Sequence, residues 1–165
     1  MSLHDKVTIF MKFLRKFDDI GARLAHSQAM IFERSIEEGL PSRTFIRCYM
    51  LSEEVRSIDE LSLETAGRSE VEIFQSIRIK LKSKRGHLLS YPLMHFIGYF
   101  YRAASYISGY NSKQLYFKIP VEFLIRNYLV LHTYSIEEAV KEAFQILEIE
   151  DHDLYLRFKE IYSRY

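Results

Sequence analysis

Tryptophan is absent from this chain, and cysteine occurs once, at Cys48. A single cysteine excludes an internal disulfide and any zinc site built on cysteine pairs, and it fits a reducing, cytoplasmic compartment. Glycine and proline are scarce, 6 and 3 in 165 residues, so long elements are expected and folds made of many tight turns are not. Neither sign of charge is in excess. A formal net charge of +1 excludes a molecule that traps nucleic acid by global charge, while leaving room for a local patch. No apolar run reads as a membrane span. The longest, 88–107, carries His95, Arg102 and several tyrosines and reads as a core helix. Lys6, Lys12, Arg15 and Lys16 interrupt any early apolar run, so no signal peptide is expected. There is no Gly-rich phosphate loop. None of the six histidines follows a glutamate by three positions, as a di-iron bundle requires, and His87 and His95 merely flank Pro92. No metal and no cofactor is expected.

What is present is apolar and aromatic: 48% hydrophobic residues, with 12 Phe and 12 Tyr. That is enough to bury a core in one domain, read over 4–165, with Met1-Ser2-Leu3 set aside as resembling a vector remnant. The hydrophobic period is helical almost throughout. A first helix is expected from His4 to Ile20, with Gly21 breaking or softening it, and the pattern resumes through Phe32 to Gly39 and Pro41. Ser42 or Thr44 caps the next, Pro41 lying just outside, and its stripe runs Phe45, Cys48, Tyr49, Val55, Ile58, Leu61 to an end at Gly67. Further helices are expected over Glu70–Lys84 and Leu93–Ser108, the latter closed by the loop Gly109-Tyr110-Asn111-Ser112. The following helix begins near Lys113 or after Pro120, and 114–119 alternates enough for a brief extended piece. Ser135-Ile136-Glu137-Glu138 has the capping-box form, and a last helix is expected from about Asp153. Amphipathic helices bury their stripes against one another, so the expected fold is all-α, a bundle of six to eight helices.

One stretch joins scaffold to chemistry: Phe123-Leu124-Ile125-Arg126-Asn127-Tyr128-Leu129-Val130-Leu131-His132. Histidine moves protons at neutral pH, and arginine offers a permanent charge and a planar donor fork to phosphate oxygens. Together they suffice to break an RNA phosphodiester without metal, Arg126 stabilising the phosphorane and Asn127 orienting either group. Six positions separate Arg126 from His132, about 120° around a helix. Either the helix ends near Leu131 or a second copy completes the site. The Ser135 cap favours an exposed histidine at the helix end.

An arginine, a polar residue and then a histidine on a late helix resemble the motif of the HEPN superfamily. The stretch around Leu51-Ser52-Glu53-Glu54, and the basic Lys80-Leu81-Lys82-Ser83-Lys84-Arg85-Gly86-His87, are similar to its AbiV-like abortive-infection branch. The resemblance implies a bundle that dimerises around a composite cleft. It also implies metal-independent RNase activity in toxin–antitoxin, phage-defence or RNA-processing settings. Arg126, Asn127 and His132 would then be catalytic, Glu53 and Glu54 supporting, and an antitoxin or other protein a partner.

Plainer readings stand beside these. Arg126 is then a surface residue and His132 faces the negative end of its helix. Glu53 and Glu54 form a solvated face. Arg78, Lys82 and Arg85, with His87 beside them, are either a helix terminus enriched in cations or an RNA-backbone patch. Tyr99, Tyr101, Tyr106 and Tyr110 serve packing or base stacking. On this view the protein is a non-catalytic helical adaptor or regulator that binds a protein or RNA.

Overall fold

The structure, a computed structural model, describes residues 15–59, 70–82 and 84–150. Among the described residues there are eight helices and no strand: α1 (Asp19–Glu37), α2 (Ser42–Met50), α3 (Glu53–Asp59), α4 (Glu70–Leu81), α5 (Tyr91–Ser108), α6 (Ser112–Lys118), α7 (Val121–Leu131) and α8 (Ile136–Ile146). The chain is thus the all-α bundle that its hydrophobic period dictates. Residues 4–14 of the first expected helix, the expected end at Gly67 and the helix from Asp153 lie outside the described residues.

The spine of the bundle is the pair α1 and α5, which share the most extensive helix–helix contact. Small residues make it possible. Ala25 and Ala29 are fully buried on α1, and Gly98 faces them from α5. A methyl group at Gly98 would lie 2.8 Å from Phe32 Cγ and 3.0 Å from Ala29 Cα. Gln28 Nε2 donates to the Gly98 carbonyl at 3.0 Å, tying the backbones together where they approach. Around this spine Phe32 meets Phe45 and Tyr49 edge to face, at 5.5 and 5.0 Å between centroids. Such pairs add roughly 0.5–1.5 kcal/mol each beyond the area they bury.

A charged network lies in the same core. Arg102 on α5 is only 4% exposed. Its Nη1 donates to Asp59 Oδ1 at 2.6 Å, its Nε to Gln28 Oε1 at 2.9 Å and its Nη2 to Ser112 Oγ at 3.2 Å. Asp59 Oδ2 in turn accepts the Ser112 N–H at 2.9 Å. Four residues therefore fasten α1, α3, α5 and the start of α6.

Several expectations are corrected. Residues 15–18 are not helical: the Arg15 N–H donates to the Ile107 carbonyl, and the Phe17 N–H to Glu137. Asp18 then caps α1, accepting from the Ile20 and Gly21 N–H groups, so Gly21 opens a helix rather than breaking one. As far as Asp59, the helix expected from Phe45 onward is two helices, because Ser52 Oγ donates to the Tyr49 carbonyl and accepts from the Val55 N–H, closing α2 and opening α3. Pro41, not Ser42 or Thr44, holds the N-cap position of α2, and the Ser42 hydroxyl instead accepts from the Leu89 N–H. α5 starts two residues earlier than expected, with Pro92 in its first turn. Both starts proposed after Asn111 occur. The segment 114–119 is no extended piece, since Asn111 and Gln114 form a capping box and Leu115 and Ile119 bury one helical turn apart.

Candidate functional site

Leu124 and Leu131 bury α7 against the bundle, and Phe96 meets Tyr128 at 5.3 Å to hold it on α5. α7 stops at Leu131 with His132 as its C-cap residue. The chain turns at once, the Thr133 and Tyr134 N–H groups bonding back to Val130 and Leu131, and Ser135 starts α8 with the full capping box. This punctuation leaves His132 exposed at the helix end.

Two constraints fix the His132 ring. It stacks on Tyr128, 4.7 Å between centroids at 24°, and its Nδ1 lies 2.8 Å from the Tyr128 carbonyl. A carbonyl only accepts, so Nδ1 carries the hydrogen and Nε2 is the free nitrogen. The ring borders an open groove of about 660 Å³ between α5 and the end of α7, which Tyr134 and Ile136 help to close. That volume suits a small ligand or a nucleotide.

A second histidine shares the groove. His95, on α5, places Nδ1 2.8 Å from Glu33 Oε1 on α1 and stacks on Tyr99 at 6.2 Å and 16°. Tyr91 also lines the wall. Glu37 accepts its hydroxyl hydrogen and pushes that phenol up to about 12, and burial raises Tyr99 as well. These phenols stay neutral at physiological pH. Besides its tyrosines, the groove's ionisable side chains are Glu33, His95 and His132.

Arg126 is exposed on the outer side of α7 and does not line the groove. It faces Glu122, whose carboxylate is held below its ordinary range first by Arg43, 2.5 Å away, and then by Arg126. Asn127 donates to the Phe123 carbonyl at 2.8 Å, so its amide is turned to its own helix. Within one chain, the groove thus receives His132 but neither Arg126 nor Asn127.

The remaining candidates sit elsewhere. Glu53 is exposed and pairs with Arg56, whereas Glu54 is half-buried, accepting from the Ser76 hydroxyl and lying 3.7 Å from Lys80. Arg78 is taken up by Glu38 at 3.0 Å. Lys82, Arg85 and His87 are exposed, and none of them borders the groove. The tyrosine cluster disperses: Tyr101 and Tyr110 are buried with their hydroxyls on the Ile119 and Glu150 carbonyls, and Tyr106 bonds Asp18. Cys48 is partly buried and packs against the core. Among the described residues no group of three or more His, Cys, Asp or Glu side chains gathers as metal ligands would, and no helix is long and apolar enough to cross a membrane.

Glu33 went unremarked in the sequence, and His95 was weighed only as a metal ligand beside His87. The signal was weak, since 62 positions separate Glu33 from His95 and only the α1/α5 crossing brings them together. Compared with protein-family models, curated proteins and solved structures, the chain finds no match.

Proposed function

We infer that this protein cleaves RNA phosphodiesters without a metal ion, as a HEPN-like ribonuclease or toxin. His132 transfers the proton. Arg126 stabilises the phosphorane charge, and it comes from a second copy of the chain, because within one chain it lies on the outer side of α7, away from the groove. The observation that carries this reading is the His132 ring, held at Nδ1 and by Tyr128, with Nε2 free at the groove. A histidine that only capped a helix would need no groove beside it.

One observation favours the non-catalytic adaptor. Leu129 and Val130 stand 76% and 54% exposed beside Arg126 on the outer side of α7, where a partner protein would cover them. In the ribonuclease reading the second copy covers them.

The test is cleavage of total RNA and tRNA in excess EDTA by wild type, Arg126→Ala and His132→Ala. Loss in both variants is the expected result. Mixing the two inactive variants is expected to restore about a quarter of the wild-type activity, since half of randomly mixed dimers carry one intact site. Equal, low cleavage by all three proteins refutes the ribonuclease and leaves the adaptor.

A further inference from the structure

The two histidines of the groove are held in the same way. Each has Nδ1 fixed by an acceptor at 2.8 Å, the Tyr128 carbonyl for His132 and the Glu33 carboxylate for His95. Each lies on the face of a tyrosine one helical turn away, Tyr128 or Tyr99. Each therefore presents a free Nε2 from a ring held by a hydrogen bond and by stacking. The acceptors differ in charge. A neutral carbonyl gives no counter-charge to an imidazolium, whereas an ionised carboxylate does. The half-buried Glu33, with 15% of its side chain exposed, is placed to neutralise His95 in its protonated form.

Resting on the ribonuclease reading, we propose that His95 is the second catalytic residue of the groove: the general acid that protonates the leaving 5′-oxygen, with Glu33 as its positioning residue. The substrate class is single-stranded RNA, because the reaction needs a 2′-hydroxyl free to swing in line with the leaving oxygen. The atoms balance without a co-reactant. His132 Nε2 takes the proton of the 2′-hydroxyl, and the 2′-oxygen forms its bond to phosphorus. The phosphorus–5′-oxygen bond breaks, its electron pair stays on oxygen, and His95 Nε2–H supplies the proton. The products are a 2′,3′-cyclic phosphate and a 5′-hydroxyl. Tyr91 and Tyr134, both partly exposed at the groove, offer ring faces to the flanking bases.

The experiment compares two substrates in EDTA: a ribodinucleotide, whose leaving alkoxide needs a proton, and a uridine 3′-(p-nitrophenyl phosphate), whose leaving phenolate does not. Wild type cleaves both. His95→Ala and His95→Gln, checked for fold by circular dichroism and melting, are expected to lose roughly 10²–10⁴-fold on the dinucleotide and less than about threefold on the nitrophenyl ester. His132→Ala loses both. Glu33→Gln is expected to lower kcat about tenfold on the dinucleotide, with KM unchanged and the nitrophenyl ester spared. A merely structural role would depress the two substrates alike, and that result overturns the assignment while the ribonuclease stands. Cleavage of the dinucleotide by both folded His95 variants at wild-type rate overturns it too. No cleavage of either substrate by wild type removes the ribonuclease reading and this assignment together.

Discussion

Replacing Asp59 by alanine should strongly destabilise the described core. Asp59 and Arg102 are 6% and 4% exposed at their side chains, so solvent does not screen them. Alanine removes the acceptor of Arg102 Nη1 and of both the Ser112 N–H and its hydroxyl. An uncompensated buried cation costs about 3–5 kcal/mol, and a buried N–H without a partner about 1–3 kcal/mol, part of which is the same loss. We expect about 4 kcal/mol in all. For a chain of this size each kcal/mol moves Tm by about 2–4 °C, so melting should fall by roughly 8–16 °C. Urea denaturation followed by far-ultraviolet circular dichroism reads the free energy, with m unchanged if the native state keeps its compactness. A double-mutant cycle isolates the pair. Asp59→Leu with Arg102→Met removes both charges at once and should cost at least about 2 kcal/mol less than the two single changes summed. A loss below about 1 kcal/mol for Asp59→Ala, or strict additivity in the cycle, would refute the claim that this pair is a coupled, desolvated unit.

The other predictions concern surface charge, capping and the outer face of α7. The Asp18 carboxyl is lowered by the Gly21 N–H first and then the Tyr106 hydroxyl, and Glu122 is lowered by Arg43. A depressed carboxyl contributes stability that is present above its unfolded pKa and lost as pH falls through the folded one. Tm should therefore decline between about pH 5 and about pH 2, and less steeply in Asp18→Asn with Glu122→Gln; equal slopes would remove these groups from the account. Asn111→Ala breaks the capping box of α6 and should cost about 0.5–2 kcal/mol by urea denaturation. Leu129→Ser with Val130→Ser should leave Tm within about 2 °C, because both side chains are exposed, while lowering the mass seen by light scattering if a second copy covers them.

Where periodicity and capping chemistry agree, the sequence already shows the element. The box Ser135-x-x-Glu138, the Gly109 stop and the stripe of α5 all appear as read. It misled where two local signals competed. The continuous stripe from Phe45 to Ile58 hides the Ser52 hydroxyl, which reads equally as a helix interior residue or as a cap. Leu115 and Ile119 satisfy a helical spacing as well as an alternating one, and the Asn111 cap decides between them. His132 at a helix end was legible, because its position follows from local punctuation. The network of Gln28, Asp59, Arg102 and Ser112 was not, since all its links except Arg102–Ser112 join residues 43 to 74 positions apart. Its one trace was an arginine in the middle of an apolar helix, which demands partners without naming them.

Gly98 has a meaning beyond packing density. Glu33 stands one helical turn past Ala29 on α1, and His95 one turn before Gly98 on α5, so their hydrogen bond lies beside a place where the two backbones approach closely. The crossing acts as a fulcrum, and the missing methyl sets the length of the lever. A wedge of one carbon there would tilt the helices and stretch the Glu33–His95 contact without touching either residue. The alignment of the groove is thereby entrusted to a residue with no side chain, a position that a search for polar, reactive groups would pass over.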